Sequence, residues 1–289
     1  MREQRNNVQL GIILMLATTL VFAAQDGISR HLAGEYNVLM VVMIRYWFFG
    51  AFVIAIASRS GGLRRVAHTT QPILQMFRGA LLAGEVCVMV LAFTVLGLIE
   101  SHAVFTCYPL LIAALSGPIL GEGVGWRRWV AIGLGFIGVL VILQPGMAVF
   151  DPAAIIPLAS AVMFALYGLL TRFAARKDDT ATSFFWTGVT GAVVMTAVGV
   201  WFWEPMSGPD WGWMSVLCVT GVLGHWLLIK CYDVAEASAV QPFAYFQLVF
   251  AAILAMTFFG ETIRANVALG VAMIVGAGLF TLWRERTQG

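Results

Sequence analysis

Apolar residues fill this chain in blocks of about twenty, and the polar positions fall mostly between blocks instead of alternating within them. Reading the runs between charged or Pro/Gly punctuation predicts ten helices, at roughly 9–30, 36–58, 73–97, 101–120, 128–145, 153–174, 182–203, 211–231, 238–259 and 265–283. Each is close to the roughly 20 residues that cross a hydrocarbon layer. Lipid offers no partner to a bare backbone, so helices are the reading these runs require. The connections are mostly short, so neighbouring helices run antiparallel. The predicted fold class is an all-α integral membrane protein with ten transmembrane helices. The run after Met1–Asn7 is long for a cleaved leader and has an internal counterpart, so it is read as a retained helix.

Composition narrows the picture. Hydrophobic residues are 60% of the 289 and charged residues 11%, less than half of the roughly 25% that covers a soluble domain. Mean hydropathy is +0.88. Little chain remains for a soluble domain. Cys87, Cys107, Cys218 and Cys231 lie in apolar stretches without a CxxC pair and read as small hydrophobes. The four histidines (31, 68, 102 and 225) are scattered. No metal, no cofactor and no nucleic-acid partner is expected; the expected partners are a small-molecule substrate and the bilayer.

The net charge of +2 says little, but its distribution orients the chain. With the N-terminus inside, 13 of the 17 basic residues fall in cytoplasmic segments, among them Arg2, Arg5, Arg64, Arg65, Arg127, Arg128 and Arg176. The opposite face holds only Arg30 and Arg264, beside Glu35, Asp151, Glu204 and Asp210. Both termini are therefore expected in the cytoplasm. Trp201, Trp203, Trp211 and Trp213 cluster at the outer boundary and read as interfacial anchors.

The chain also repeats itself. Ala17-Thr18, Phe22-Ala23, Gln25 and Ser29-Arg30 match Ala159-Ser160, Phe164-Ala165, Tyr167 and Thr171-Arg172, each pair 142 apart. Gly50-Ala51 recurs as Gly191-Ala192, and Gly121-Glu122 recurs as Gly260-Glu261. Five helices is an odd number, so the second half enters the membrane from the opposite side. Two halves, 1–146 and 147–289, are predicted as inverted five-helix repeats around a central cavity. The Gly-rich fifth and tenth helices carry Ala131/Gly135 and Ala272/Gly276, which suit close packing, either within the chain or in a homodimer; otherwise a monomer is expected.

Ten helices, the five-plus-five repeat, and Pro109…Gly121-Glu122 echoed by Gln247…Gly260-Glu261 resemble the EamA-type drug/metabolite transporter family over essentially the whole chain. One departure is Leu248, where the first half has Pro109. Within that superfamily the chain is similar to bacterial amino-acid exporters of the YddG type. The resemblance implies eight helices around a central cavity, peripheral fifth and tenth helices, small amphiphilic substrates and a bacterial cytoplasmic (inner) membrane.

Ionisable groups inside a bilayer are functional candidates by default. Arg78 and Glu85 share a helical face about 10 Å apart along the axis, which suits a zwitterion, with its carboxylate at Arg78 and its ammonium at Glu85. Snorkelling to the headgroups is the other reading of Arg78. His225, followed by Trp226, occupies nearly the equivalent place in the eighth span, lining the cavity or bonding a neighbouring helix. His225 and Glu85 are the candidates if transport is proton-coupled. Gln25 and Tyr167 sit on the stripes Thr18-Phe22-Gln25-Ser29 and Ser160-Phe164-Tyr167-Thr171. Asp26 faces about 100° away from Gln25, towards the outer surface. Arg45 can neutralise Asp26 or Glu85 or bind substrate. Tyr108, Gln241, Tyr245 and Gln247 offer stacking and hydrogen bonds, or packing around kinks at Pro109 and Pro242.

No GxxxxGK[ST] motif is present, so a secondary carrier is the leading class, driven by a gradient. An intramembrane enzyme would want paired catalytic groups, and no HExxH or GxSxG occurs. A channel would lack saturable flux. Export of amino acids, including aromatic and apolar ones, by alternating access is the specific expectation; uptake of another metabolite is the alternative.

Overall fold

The computed structural model describes residues 7–59, 62–121, 126–143 and 152–286. Arg2, Arg5, Glu122 and Asp151, named above, lie outside the described residues. Every regular element among the described residues is helical: α1 (Val8–Glu35), α2 (Val38–Arg59), α3 (Leu63–Ala67), α4 (Pro72–Leu96), α5 (Leu98–Phe105), α6 (Tyr108–Leu120), α7 (Trp126–Leu143), α8 (Ile155–Ala174), α9 (Thr180–Gly199), α10 (Gly208–Val234), α11 (Ala237–Ala244), α12 (Phe246–Phe258) and α13 (Ala265–Arg286), with short 3-10 turns before α8 and after α9. The face at which α1 begins is called near and the face at which it ends far.

Eight segments among the described residues are long and apolar enough to cross a membrane. Two of them are broken helices. The segment Leu98–Leu120 divides into α5 and α6 at Thr106-Cys107, just before Pro109, whose ring cannot continue the hydrogen-bond ladder. Thr106 Oγ1 turns back to the His102 carbonyl at 2.5 Å. The second break, at Tyr245, divides α11 from α12 three residues after Pro242. Both breaks were expected only as kinks.

Burial is inverted relative to a soluble protein. Arg78 and Gln75 are 0% exposed, while Trp201 and Ile73 are each 82% exposed. Such a surface suits lipid and not water.

α1 packs along α10 and α12, and α8 along α4 and α6; α2 lies against α9, and α7 against α13. Small residues permit these approaches. A Cβ on Gly191 of α9 would fall 2.1 Å from Tyr46 of α2, so only glycine fits there. A Cβ on Gly135 would fall 2.5 Å from Leu110 of α6, so this residue is spent on packing within the chain; Gly276 faces open space. Gly191→Val overpacks the α2–α9 contact and costs about 1–3 kcal/mol, lowering the thermal midpoint in detergent by roughly 2–4 °C per kcal/mol. Gly212→Ala, with nothing within 4 Å, is expected to leave it unchanged.

Candidate functional site

Midway along the bundle, α1, α2, α4, α8, α10 and α12 converge on a group of polar side chains. Arg45 of α2 points its Nη2 at Gln25 Oε1 (3.1 Å) and at His225 Nε2 (3.1 Å). A guanidinium only donates, so Nε2 of His225 accepts and the ring hydrogen sits on Nδ1. That Nδ1 is buried and has no partner. Arg45 therefore bonds an amide and an imidazole, and neither Asp26 nor Glu85. Its approach depends on Gly221, where a Cβ would lie 2.6 Å from Arg45 Nε. Glu85 accepts from Ser160 Oγ at 2.6 Å. Gln247 donates to Asp26 Oδ2 at 3.1 Å, and its own Oε1 is buried without a partner.

Phe22, Phe93, Phe105 and Phe164 wall this group, leaving a free volume of about 30 Å³. That is room for about one or two waters, far below the roughly 300–1,000 Å³ of a small-molecule site. The site is closed here.

A second polar layer seals it on the near side. Arg78 bonds Gln75 Oε1 through Nε (3.2 Å) and Nη2 (2.8 Å), the Ser183 carbonyl through Nη2 (2.6 Å), and Tyr167 Oη (3.3 Å) and Thr171 Oγ1 (3.0 Å) through Nη1. Gln75 in turn donates to Asp178 at 2.7 Å, as does Thr69. The five N–H groups of Arg78 are thus all engaged. The expected zwitterion pair with Glu85 does not form in this state, because Arg78 has no donor left for a carboxylate. Snorkelling fails too, since Arg78 is 0% exposed.

A third layer seals the far side. Glu261, in the second Gly-Glu pair, accepts from the backbone N–H of Leu98 and Ile99 (each 2.9 Å) at the start of α5, and is ion-paired with Arg30 of α1. Arg30 also lies over the Phe259 ring, 4.2 Å from its centroid. Gly97 has φ +82°, and a Cβ there would lie 2.8 Å from Glu261 Oε1. Between this plug and the central group stands His102. Its ring stacks on Phe93 (5.1 Å, 3°), and Nε2 is 3.1 Å from Asp26 Oδ2. A vestibule of about 450 Å³ opens beyond, lined by Arg30, Phe93, Gly97, Glu100 and Glu261.

Of the sequence-chosen residues, Gln25, Arg45, Glu85, His225 and Gln247 come together in the central group. Tyr167, with Thr171, serves the Arg78 layer, so the stripe on α8 divides between two layers. Tyr108 stands edge-on to Phe164 at 4.9 Å. Gln241 donates to Tyr232 Oη at 3.1 Å, and Tyr245 is buried at the α11–α12 break. Trp226 departs from expectation: 43% exposed, it lines a lateral crevice of about 680 Å³ with Phe48 and Phe52. It is the residue after His225 and so points about 100° away. Asp26 faces inward, against the outward expectation, because His102 and Gln247 supply its partners. His102, Phe93 and Phe105 were missed. For His102 the sequence carried one usable signal, an ionisable residue inside a span.

The profile of the EamA-like transporter family matches this chain twice, over residues 9–144 and 152–283. The chain belongs to the EamA-like transporter family. Among EamA relatives, the S-adenosylmethionine uptake transporter of Rickettsia prowazekii is 25% identical over 276 residues, covering 96% of this chain and 93% of that protein. The riboflavin transporter of Vibrio cholerae is 26% identical over 283 residues, covering 96% and 94%. A solved crystal structure shares the fold at TM-score 0.71 and 19% identity, covering 98% of this chain and 99% of the other. The chain is a multi-pass membrane transporter.

The far plug is testable in this EamA protein. With the four cysteines replaced by alanine and Phe93→Cys introduced, a membrane-impermeant maleimide is expected to label slowly. Adding Glu261→Gln removes charge-assisted hydrogen bonds worth roughly 1.5–3 kcal/mol, and labelling should rise at least about tenfold. Equal rates with and without Glu261→Gln would mean that the carboxylate does not hold the plug.

Proposed function

We propose that this protein is a secondary carrier that takes up, across the bacterial inner membrane, a metabolite with a planar heteroaromatic ring joined to a polar or cationic chain. Ten transmembrane helices form two inverted repeats, 1–146 and 147–289, with both termini cytoplasmic. The near face is then the cytoplasmic side. Helix pairing supports the repeat: exchanging α1, α4, α6 and α7 for α8, α10, α12 and α13 turns the α1–α10 contact into α8–α4 and α1–α12 into α8–α6. With α2 also exchanged for α9, the α2–α9 and α7–α13 contacts map onto themselves. The basic residues gathered at one face support the orientation.

The observation that carries the functional reading is the central group itself. It combines two carboxylates (Asp26, Glu85), one guanidinium (Arg45), four phenylalanine rings and two unpartnered buried polar atoms, His225 Nδ1 and Gln247 Oε1. Unpaired groups in a low-dielectric site are costly, and a substrate that pairs them converts that cost into specificity. The rings suit stacking on a flat heterocycle, and the carboxylates suit a cationic centre. The relatives named for S-adenosylmethionine and riboflavin carry substrates of this general kind. They favour uptake of such a metabolite over the amino-acid export expected from sequence. Amino-acid export remains the second reading, on the single observation that Arg45 and Glu85 offer a zwitterion one charge each. Closed layers on both sides of the group fit alternating access.

Purified protein in liposomes decides between these readings. Saturable entry of labelled S-adenosylmethionine or riboflavin is expected, with amino acids moving at background. Amino-acid flux without either of the other two would reverse the substrate assignment, and linear, unsaturable flux would mean a channel. Glu85→Gln removes a carboxylate partner of a substrate cation. It is expected to lower S-adenosylmethionine transport at least about tenfold, the loss of one charged contact worth 1.5–3 kcal/mol, at normal expression. Wild-type rates in that variant would remove Glu85 from the site.

A further inference from the structure

Hydrogen bonds between His102 and Asp26 do not balance without an additional proton. His102 is 1% exposed, and its Nδ1 lies 3.1 Å from the Leu98 carbonyl oxygen. A carbonyl oxygen only accepts, so Nδ1 carries a hydrogen. The other nitrogen, Nε2, lies 3.1 Å from Asp26 Oδ2. A bare Nε2 would there face an ionised carboxylate, lone pair against lone pair. One proton resolves this, either on Nε2 as an imidazolium facing the carboxylate or on Oδ2 as an acid donating to Nε2. Gln247 donates to the same Oδ2 at 3.1 Å, which favours the ionised carboxylate and hence the imidazolium.

Charges on the surrounding helices lead to the same result. Arg45 of α2 and Glu85 of α4 face the pair across the closed site, and His225 of α10 is neutral because its Nε2 accepts from Arg45. Beyond them, Arg30 of α1 is spent on Glu261 of the α12–α13 connection, and Arg264 beside α13 on Glu100 of α5 at 2.6 Å. On α8 the facing polar residue is Ser160, while Arg172 lies towards the near face, donating to the Tyr232 carbonyl. The charged residues of α7, Arg127 and Arg128, fall in its first turn, at the near face. The closed group therefore holds Arg45 against Glu85 and Asp26. With Glu85 ionised, it reaches neutrality when the His102–Asp26 pair carries its proton. A net negative charge sealed from water on both sides is strongly disfavoured.

We propose that the Asp26–His102 pair is a proton-binding site of the transport cycle, loaded when the carrier is closed and empty. The location suits exchange with solvent. Phe93, stacked on His102, also lines the far vestibule, so displacing Phe93 and the Arg30–Glu261 plug brings water to the pair. On opening, the proton passes from His102 Nε2 to that water. Asp26 stays ionised and receives the cationic centre of the substrate, which restores neutrality before the site closes. The empty carrier closes again only after taking up a proton. Substrate cation and proton thus alternate at one carboxylate and move in opposite directions, an exchange without net charge in which the solute's own gradient drives uptake. This coupling rests on the carrier reading above; the proton site itself does not.

Two measurements test it. In the first, protein labelled with 15N-histidine and 13C-aspartate is placed in lipid nanodiscs at pH 7 without solute, and His102 is assigned by the signal lost in His102→Gln. An imidazolium at His102, or a neutral ring beside a protonated Asp26, is expected; a neutral ring beside an ionised Asp26 overturns the proposal. The wild-type spectrum decides this, whether or not Asp26 variants fold. In the second, proteoliposomes containing a pH dye receive S-adenosylmethionine. About one proton is expected to move against each solute molecule, with the ratio falling towards zero in His102→Gln. Solute movement without a pH change in the wild type overturns the coupling. If S-adenosylmethionine does not move at all, the substrate reading fails, and the histidine spectrum still decides the proton site.

Discussion

A polar side chain inside a bilayer has no water to bond with, so each one must find its partners within the protein. In this chain that constraint collects the membrane-buried polar groups into three layers. Arg78, Gln75 and Asp178 form one, and Gln25, Arg45, Glu85 and His225 the middle one. Arg30 and Glu261 form the third, with Asp26 and His102 just inside it. Hydrophobic packing alone would hold helices together in many rotations. Satisfying these layers allows few.

The two outer layers differ in how they are held. Arg78 is held by five bonds drawn from α4, α8 and α9, each to a neutral oxygen. Glu261 instead seats a carboxylate on the first N–H groups of α5, where the helix dipole favours negative charge. This contact exists because α5 starts abruptly at Gly97, whose positive φ ends the preceding helix and whose missing Cβ leaves room for the carboxylate. Helices are broken at Thr106-Cys107 and at Tyr245, and these residues are buried, as expected where irregular backbone lies in protein and is not exposed to lipid.

Between the layers the free space is about 30 Å³, so the proposed substrate can enter only if helices separate. The unpartnered atoms His225 Nδ1 and Gln247 Oε1 mark where a ligand would gain most, since each already bears the penalty of burial. On the carrier reading proposed above, a substrate that supplies an acceptor to the first and a donor to the second is bound for its polar pattern. The phenylalanine walls contribute area and little discrimination.

The sequence alone determined the helical, membrane-spanning character and the broad class, because each depends on residues close together in the chain. Apolar run length gave the helices within a few residues, and the EamA-type resemblance, carried by Gly260-Glu261 and its counterpart, led to the family. It also placed Gln25, Arg45, Glu85, His225 and Gln247 among the candidates. Only the tertiary structure decided which of them meet. His102 and Asp26 are 76 residues apart, and Arg78 and Ser183 are 105 apart. Nothing in helical periodicity states how far one helix is turned against another, and it is the packing that turns Asp26 inward and Trp226 outward. That rotation is set where side chains are absent, at Gly191 against Tyr46 and Gly221 against Arg45. A missing Cβ there acts only through the neighbouring helix that fills the space.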